Sequence, residues 1–516
     1  MKNDIHGRDR LVKNTVINWL SLVVRFVAGF ILPRLVSDTI GQEALGVWDF
    51  AWSIVGYFDL ITGGLIGSIN RYVAKYHASG LEDDLRVYIS TAGLVVRSMG
   101  LLAFIVSVCF LIIPADSLSG KFSTLFLEAR VPIFLLGTGI ALQISASIYS
   151  GVLTGFHRWD IHNGIQIFSL ILSLVFSVIV LLSGGGIMHL AAAQLSADFI
   201  NRTIHFFAAK KICSELQIRI KMFNMKNAKE MFVFGGKNYV SLIASLLSNQ
   251  TISIIIGGVF GPAMLAVFTR PLSLTRQIIN IVYKYAMIFV PTSSSLQMTK
   301  DMKGIQNLAI SSTQTSICLA LPLMLIISIL GNDILSIWMG DSYRVGVLAA
   351  IFATGALFDM AYSPVRMIIT GMNYHGRIVG IGLLSAVVSS LCVCIAVLYL
   401  HKQLVAVGYA MIIPSAISQG LVIPVICSKV LRLPLRKLIF YSWIRPIIAN
   451  ILFIVVLIVV TFQSELSPLL RIGIAIGSGF PIVIACYYFI IIPVQTKILI
   501  KNKMKKMIGK IVPTIN

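Results

Sequence analysis

About fourteen long apolar stretches run through the 516 residues of this chain, and they constrain its fold more than any other feature. Each has roughly 20 or more residues, which as a helix is long enough to cross about 30 Å of hydrocarbon. The mean hydropathy is +0.89, and only 12% of the residues are charged. Soluble domains carry about 25% charged residues. The sequence therefore predicts an all-α polytopic membrane protein with about 14 transmembrane helices.

The limits of these spans follow from where each apolar run starts and stops. The predicted spans are 14–35, 44–67, 88–113, 130–153, 162–182, 187–208, 232–257, 263–290, 306–330, 346–370, 378–400, 404–427, 439–462 and 470–496.

The positive charge of the chain follows its predicted topology. With the N-terminus inside, 27 of the 42 Lys and Arg residues fall in inner segments and 6 in outer loops or at the outer ends of spans. The positive-inside rule predicts this bias for a multi-pass protein with both termini in the cytoplasm. The net charge of +22 is thereby explained, and nucleic acid is not expected as a partner. The seven cysteines show no metal-ligand spacing, so no metal site is predicted.

The loops are too short to form domains, and the longest of them divides six spans from eight. The predicted organisation is an N-terminal bundle at 1–208, a basic cytoplasmic linker at 209–231, a C-terminal bundle at 232–428, two extra helices at 439–496 and a basic cytoplasmic tail at 497–516.

A constant offset of 220 residues aligns the two predicted bundles. TVINWLSLVVR (15–25) lies over GGKNYVSLIAS (235–245), and IGQEALGVW (40–48) lies over FGPAMLAVF (260–268). This pattern predicts two six-helix bundles related by a parallel pseudo-repeat, an arrangement typical of transporters whose substrate site lies near the midplane. Chance similarity between two apolar helical hairpins is the alternative.

Polar residues form a stripe on the predicted span 263–290. They are spaced by three or four residues, so they share one helix face: Arg270, Ser273, Gln277, Asn280 and Lys284, with Arg276 beside them. Four other spans carry similar stripes, namely Asn14, Asn18, Ser21 and Arg25; Asp49, Ser53, Gly56 and Asp59; Asn238, Ser241, Ser245 and Ser248, with Lys237 and Asn249 adjacent; and Asp359, Ser363, Arg366 and Thr370.

These stripes are too costly to face lipid. A charge at the membrane centre costs about 2.5 to 3.5 kcal/mol on insertion. We therefore expect the stripes to line a hydrated central cavity between the bundles. Six cations stand against three acids there, and guanidinium and ammonium groups bind phosphate or carboxylate, so the cavity is predicted to attract anions. The alternative is a set of intramembrane ion pairs, such as Asp49 with Arg25 or Asp359 with Arg366.

The same acids are the candidates for energy coupling. Asp49, Asp59 and Asp359 are candidate ion or proton sites, because buried acids in spans often serve that role. No nucleotide-binding or catalytic motif is found, so we expect a secondary transporter and not an enzyme. No cofactor is expected, and the drive would be an H⁺ or Na⁺ gradient or the membrane potential.

Residues 25–76 resemble a known family. IGQEALGVW, SIVGYFDL, the glycine pair at 63–64 and RYVAKY are similar to polysaccharide-export proteins of the MOP (multidrug/oligosaccharidyl-lipid/polysaccharide) superfamily, as is the later FGPAMLAVFTRPLSL. Within it they resemble lipid-linked oligosaccharide flippases of O-antigen and capsule pathways. The resemblance implies two six-helix bundles with two additional helices, in a bacterial inner membrane. It also implies that undecaprenyl-pyrophosphate-linked oligosaccharide is moved from the inner to the outer leaflet.

The resemblance also implies roles for residues. In the peptidoglycan-precursor branch, cavity arginines of the first, second and eighth helices bind pyrophosphate; Arg25 and Arg270 match by helix, whereas the second span has no central Arg. We expect a pyrophosphate clamp of Arg25, Arg270 and Arg276, supported by Lys237 and Lys284, with Arg366 in the same cavity. Contacts to sugar hydroxyls are assigned to Asn18, Ser21, Gln277, Asn280 and Asn249.

Two rival functions remain open beside the flippase. They are a cation-coupled multidrug exporter of the same superfamily and a membrane glycan polymerase. Besides the lipid-linked glycan, the expected partners are membrane lipids, a glycan polymerase and a chain-length regulator.

Overall fold

The computed structural model describes residues 4–63, 65–114, 120–213, 216–236, 239–374, 376–399, 403–463, 465–492 and 497. For residues 4–19, 22, 66 and 377 it describes the backbone alone. All regular structure in these ranges is helical, as the sequence predicts.

Twelve helices in the described residues lie before the span that carries the polar stripe 270–284. They are α1 Asp4–Thr39, α2 Gln42–Val55, α3 Asp59–Thr62, α4 Leu65–Ala78, α5 Glu82–Ile112, α6 Lys121–Ser145, α7 Ser147–Gly155, α8 Trp159–Leu182, α9 Ile187–Ile212, α10 Met225–Gly236, α11 Tyr239–Leu246 and α12 Ile252–Phe260.

The described residues contain eleven more helices, beginning with the one that carries the polar stripe. They are α13 Pro262–Met287, α14 Phe289–Met298, α15 Met302–Ile329, α16 Gly331–Met339, α17 Gly346–Gly371, α18 Gly376–Tyr399, α19 Leu404–Ile417, α20 Ile423–Leu431, α21 Leu435–Ile439, α22 Arg445–Phe462 and α23 Pro468–Ile490. Short π-helical segments connect α11 to α12, α19 to α20 and α21 to α22, at Leu247–Thr251, Ser418–Val422 and Phe440–Ile444.

The described residues contain eleven helical spans that are long and apolar enough to cross a membrane. This finding establishes a multi-pass membrane protein, whereas the count of fourteen stays a prediction. The other long helices are α1, α9 and α13, each with 26 or more residues. Charged residues lie within all three of these helices. They lower the mean hydropathy, since the hydropathy value of a charged side chain reflects its cost of insertion into hydrocarbon.

The predicted second span, 44–67, is not one regular helix. A 3₁₀ turn at Gly56–Phe58 interrupts it, and α3 ends at Gly63, whose φ of 49° is left-handed. Glycine adopts this conformation at little cost and therefore commonly ends a helix. The chain then resumes as α4 and continues to Ala78, well beyond the predicted limit.

The chain forms two compact units. The first comprises Met1–Thr269 with Gly382–Lys402, and the second comprises Arg270–Ile381 with Gln403–Asn516. The predicted bundle limits at 208 and 232 stay a prediction.

The first unit has an aliphatic and aromatic core where α4, α5 and α7 pack. Ile69, Tyr88, Ile89 and Val152 are fully buried there. At Gly151 a methyl group would overlap the side chain of Ile69, so α4 and α7 approach closely. Small residues that permit close approach are a main source of helix association in membranes, where burial of apolar surface contributes little.

In the same unit, α2 packs against the beginning of α13. The Gln42 Nε2 donates a hydrogen bond to the Ala263 carbonyl at 3.0 Å, and a methyl group on Gly46 would overlap the Pro262 carbonyl. Gly41 precedes α2 with φ 96° and ψ 165°, and Gly261 precedes α13 with φ 94° and ψ 170°. The 220-residue offset thus aligns two glycines with the same, glycine-specific backbone conformation.

In the second unit, the last two helices pack on α15. Phe453 and Leu457 of α22 and Val483 of α23 are buried against Ile326. Two polar contacts add specificity: Asn450 Nδ2 donates to the Tyr487 hydroxyl at 2.8 Å, and Tyr487 donates to the Cys318 carbonyl at 3.0 Å. Arg471 forms an ion pair with Asp333 at 3.3 Å, linking α23 to α16.

Candidate functional site

The polar face of α13 passes from buried to exposed along the helix. Arg270 is 5% exposed. Arg276 and Gln277 are half-buried, and Asn280 and Lys284 are exposed. The helix thus carries three cations, one of them inside the protein.

A proline directly after Arg270 removes one backbone hydrogen bond of α13. Pro271 lacks an N–H, so it leaves one carbonyl of the preceding turn without its helical partner. The Ser273 hydroxyl donates to the Arg270 carbonyl at 2.8 Å. Ser273 therefore bonds its own helix, although it lies on the predicted polar face.

The predicted site residues of α1 and α11 are partly described. Ser21 is half-buried and Arg25 is exposed. The side chain of Asn18 and all of Lys237 lie outside the described residues, so their roles stay predictions. Asn249 lies in the π-helical segment Leu247–Thr251, where its Nδ2 donates to the Ser245 carbonyl at 2.8 Å. Such π segments occur frequently at functional sites.

The acids of the second span have different surroundings. Asp49 accepts a hydrogen bond from the Thr269 hydroxyl at 2.5 Å. Asp59 is exposed. The alternative pairing of Asp49 with Arg25 does not occur: among the described residues, Arg25 lies within 4 Å of no carboxylate.

The alternative pairing on α17 does occur. Arg366 Nη2 lies 2.7 Å from the Asp359 carboxylate and 3.0 Å from its carbonyl, while Nη1 donates to the Gln419 amide oxygen. The exposed fractions of the Arg366 and Asp359 side chains are 15% and 33%. In this conformation the acid neutralises the arginine, as an ion pair that fixes helix packing would.

Sequence comparisons identify polysaccharide-associated relatives. The model of the family described as "Polysaccharide biosynthesis protein" matches residues 128–348. The membrane protein EpsK of Bacillus subtilis (strain 168), itself described as uncharacterized, is 26% identical over 67% of this chain and 69% of its own. A putative O-antigen transporter of Shigella flexneri is 24% identical over 69% of this chain and 84% of its own.

Structural comparisons show the fold. The lipid II flippase MurJ in an inward closed conformation aligns with a TM-score of 0.65 at 13% identity, covering 92% of this chain and 99% of MurJ. An inward-facing MATE multidrug transporter of the MOP superfamily aligns with a TM-score of 0.61 at 12% identity, covering 81% and 98%. In sequence the chain is similar to polysaccharide-biosynthesis and O-antigen-transport proteins, and in fold it is similar to transporters of the MOP superfamily, which agrees with the resemblance seen in residues 25–76.

The descriptions of the relatives name transport. The putative O-antigen transporter, MurJ and the MATE protein are described as transporters or flippases, which agrees with the expectation of a transporter. Among the described residues, no group of three or more His, Cys, Asp or Glu is placed to hold a metal ion.

Sequence reasoning missed several polar residues of this chain. Thr269 lies outside the polar stripe of α13, and Gln419 lies in an otherwise apolar span, so neither has a periodic signal. A polar group within the first unit was also left without a role. The Gln194 Nε2 donates to Asp198 at 3.2 Å, and Arg202 Nη2 donates to Gln143 at 2.9 Å. The four-residue spacing of Asp198 and Arg202 is the signal that points to this group.

Proposed function

We propose that this chain is a flippase that moves undecaprenyl-pyrophosphate-linked oligosaccharide from the inner to the outer leaflet of the bacterial cytoplasmic membrane. The repeat unit would be that of an O-antigen or another surface polysaccharide. Both termini would lie in the cytoplasm, as the bias of basic residues towards inner segments predicts. The polysaccharide-family relatives support the substrate class.

The observation that carries the proposal is the burial of Arg270 on a helix with two more cations. An arginine buried within a membrane span marks a functional site by default, because it is costly to insert. Its guanidinium has the fork of donors that binds phosphate oxygens in pairs. A pyrophosphate-linked substrate supplies the complementary anion.

The proposed roles follow this chemistry. Arg25, Arg270 and Arg276, with Lys237 and Lys284, would hold the pyrophosphate in a cationic cavity during alternating access. The amide and hydroxyl side chains of Asn18, Ser21, Gln277, Asn280 and Asn249 would contact sugar hydroxyls. Arg366 would join the anion site only when its ion pair with Asp359 opens.

Energy coupling is a separate part of the proposal. Asp49, Asp59 and Asp359 are the acids proposed to couple transport to an H⁺ or Na⁺ gradient, or to respond to the membrane potential. A glycan polymerase and a chain-length regulator are the proposed partners downstream, since a flipped repeat unit must be assembled on the outer face.

The test uses a strain lacking this protein and complemented by Arg25→Glu or Arg270→Glu. Both variants should reduce surface polysaccharide at least tenfold and accumulate lipid-linked oligosaccharide on the cytoplasmic side. The matched control is Arg344→Glu, because Arg344 is exposed and paired only locally, with Asp341 at 2.9 Å. Protein levels are compared by immunoblot. Normal surface polysaccharide in both variants at normal protein levels would overturn the clamp.

A multidrug exporter is the second candidate, and the MATE fold similarity favours it. The cationic lining predicted here disfavours it for cationic drugs, since like charges repel. Drug susceptibility of the same strain decides between the two. Increased susceptibility without loss of surface polysaccharide would replace the flippase proposal.

A further inference from the structure

A row of polar side chains follows α9 through the first unit, and the transport proposal gives it no role. Gln194, Asp198, Arg202 and His205 are spaced by three or four residues, so they share one face of the helix. Asp198 and Arg202 are half-buried, and His205 is buried. All four lie in the predicted span 187–208, with Asp198 near its middle. Ionisable residues inside a span are costly to insert and mark functional sites.

The carboxylate of Asp198 lies among three helices. Gln194 Nε2 donates a hydrogen bond to it at 3.2 Å, and the Ser173 hydroxyl of α8 donates in turn to the Gln194 amide oxygen. A methyl group built on Gly139 of α6 would lie 3.0 Å from the carboxylate, so α6 packs closely against it. These contacts come from uncharged groups, so they do not neutralise an ionised Asp198.

The base of the row lies one turn further along α9 but bonds elsewhere. Arg202 Nη2 donates to the Gln143 amide oxygen of α6 at 2.9 Å. Residues four apart on a helix are neighbours whose side chains can meet. Among the described residues, however, Asp198 and Arg202 form no ion pair within 4 Å, and the buried Nε of Arg202 has no hydrogen-bond partner. A charged donor is therefore left over, one turn from a carboxylate that can accept it.

Other titratable side chains lie near Arg202 on the helices around α9. They are His205 on α9 itself, His162 on α8, Tyr149 on α7 and Arg97 on α5. The α6 helix contributes Gln143, which is uncharged, and α2 carries Asp49, which is hydrogen-bonded to Thr269. Within the described part of the chain, the charge that acts on Asp198 is that of Arg202.

Two events can neutralise Asp198. An unpaired charge inside a membrane span is costly, so an ionised carboxylate there needs a partner. A bound proton removes the charge, and an ion pair with Arg202 compensates it. The described arrangement keeps Arg202 on Gln143, which fits the protonated acid. We propose that Asp198 is a proton-binding site and that Arg202 exchanges Gln143 for Asp198 when the proton leaves.

The exchange balances both charge and hydrogen bonds. Deprotonation releases one H⁺ from the carboxyl group of Asp198 to water and leaves a carboxylate. Arg202 then turns its Nε towards this carboxylate and forms a charge-assisted hydrogen bond. The hydrogen bond to Gln143 is given up, so α9 loses this contact with α6. The protonation state of one residue thereby controls a contact between two helices.

A contact between helices that depends on protonation is what coupling to an H⁺ gradient requires. Asp198 thereby joins Asp49, Asp59 and Asp359 as an acid for energy coupling. This coupling role rests on the proposed flippase, whereas proton binding by Asp198 does not.

The stability of Gln143→Leu tests the exchange without any transport. Gln143 is exposed, so the variant is expected to fold. The purified full chain and the variant are melted in detergent at acidic and at alkaline pH, within the range in which the wild type stays folded. The substitution should lower the melting temperature by a few degrees more at acidic pH, because Arg202 has left Gln143 at alkaline pH. In an Asp198→Asn background the acid cannot ionise, so this difference should disappear.

Tyr149→Phe is the matched control for Gln143→Leu. The Tyr149 hydroxyl accepts a hydrogen bond from Arg97 at 3.2 Å beside Arg202, in a contact that does not involve Asp198. Its effect on the melting temperature should therefore be equal at both pH values. Asp198→Glu keeps a titratable carboxyl group and should retain the pH dependence of the Gln143→Leu effect.

Three results would overturn the proposal. The first is an equal effect of Gln143→Leu at both pH values when Asp198 is present. The second is a pH-dependent effect that persists in Asp198→Asn, which would assign the titration to His162 and His205. The third is an equally large pH dependence in Tyr149→Phe.

The coupling role has its own readout. The melting assay measures no transport, so its failure leaves the flippase proposal to the test on surface polysaccharide. Asp198→Asn should reduce surface polysaccharide several-fold, and Asp198→Glu should restore most of it. Normal surface polysaccharide in Asp198→Asn at normal protein levels would remove this acid from energy coupling.

Discussion

Asp49 accepts a hydrogen bond from Thr269, and the 220 residues between them equal the offset that aligns the two sequence halves. The same offset aligns Gly41 with Gly261, which precede α2 and α13 in one backbone conformation. The hydrogen bond therefore joins two helices whose beginnings match in sequence offset and in local structure.

Replacing Thr269 by Val should weaken the contact between α2 and α13. The substitution removes the hydroxyl and keeps the shape of the side chain. Hydrogen bonds between membrane helices contribute about 0.6 kcal/mol on average and up to about 1.7 kcal/mol. We expect the apparent melting temperature in detergent to fall by a few degrees in Thr269→Val and to be retained in Thr269→Ser.

Thr461→Val is the matched control for this change. The Thr461 hydroxyl donates only to the Leu457 carbonyl of its own helix, at 2.7 Å. Its loss should leave the melting temperature nearly unchanged. Equal effects of Thr269→Val and Thr461→Val would contradict a special contribution of the Asp49–Thr269 hydrogen bond.

Gly46→Ala should destabilise the protein, although alanine is the better helix former. The added methyl group would overlap the Pro262 carbonyl, which is backbone and cannot rotate away. Overpacking of this kind costs about 1 to 3 kcal/mol. A melting temperature several degrees below that of the wild type is expected, with reduced yield of folded protein in detergent.

Gly164 of α8 provides the opposite case. A methyl group built there meets nothing within 4 Å. Gly164→Ala should therefore be neutral or stabilising by up to about 1 kcal/mol, because alanine restricts the unfolded chain. Equal melting temperatures of Gly46→Ala and Gly164→Ala would contradict the steric overlap expected at Gly46.

The sequence was sufficient to predict that the regular structure of the described residues is helical and that α13 carries polar residues on one face. Spacings of three and four residues specify one face, and insertion cost then requires that some of that face be buried, as Arg270 is. Contacts between helices produce no periodic pattern of this kind in the sequence. Thr269 and Gln419, which bond Asp49 and Arg366, were therefore not predicted.

Local departures from the α-helical conformation could not be predicted from the hydrophobic pattern either. The apolar run of 44–67 reads as a continuous span, yet the chain departs from the α-helix at Gly56–Phe58 and at Gly63. Gly63 is followed by a second glycine, and only the structure shows that the first of them takes a left-handed conformation. The three π-helical segments likewise depend on packing and have no sequence signal of their own.

Lys300→Gly should stabilise the protein. Lys300 follows α14 with a left-handed φ of 57°, and the chain closes there with hydrogen bonds from Lys300 N to Gln297 O and from Asp301 N to Leu296 O, both at 3.0 Å. Glycine is the preferred residue at this position of a helix end, because it lacks a Cβ. We expect an increase of up to about 1 kcal/mol in the free energy of unfolding, measured by thermal denaturation.

The same substitution within a helix should have the opposite sign. Lys229 is an exposed residue in the middle of α10. Lys229→Gly should lower the free energy of unfolding by about 0.8 to 1 kcal/mol, because glycine is a poor helix former. If both variants lose stability, the contacts of the Lys300 side chain contribute more to the free energy of unfolding than its left-handed backbone conformation costs.

The Arg366–Asp359 ion pair should show strong thermodynamic coupling. Arg366 is 15% exposed and makes three hydrogen bonds, two of them to Asp359. Removing one partner from a buried pair leaves an uncompensated charge, which costs about 3 to 5 kcal/mol when burial is complete. We expect Asp359→Asn and Arg366→Gln each to lower the melting temperature markedly, and the double variant to lower it less than the sum of the two.

The exposed pair Arg344 and Asp341 is the reference for this double-mutant cycle. Its side chains are 52% and 80% exposed, so solvent screens their interaction, and the coupling should not exceed about 1 kcal/mol.

The Asp359 and Arg366 variants also separate an effect on stability from an effect on transport. Asp359→Asn that folds as the wild type does but no longer supports surface polysaccharide would assign Asp359 to energy coupling. If the variants lose stability and surface polysaccharide falls only in proportion to the amount of folded protein, the pair serves helix packing. If the stability losses of the two single variants simply add up in the double variant, the ion pair does not contribute to stability.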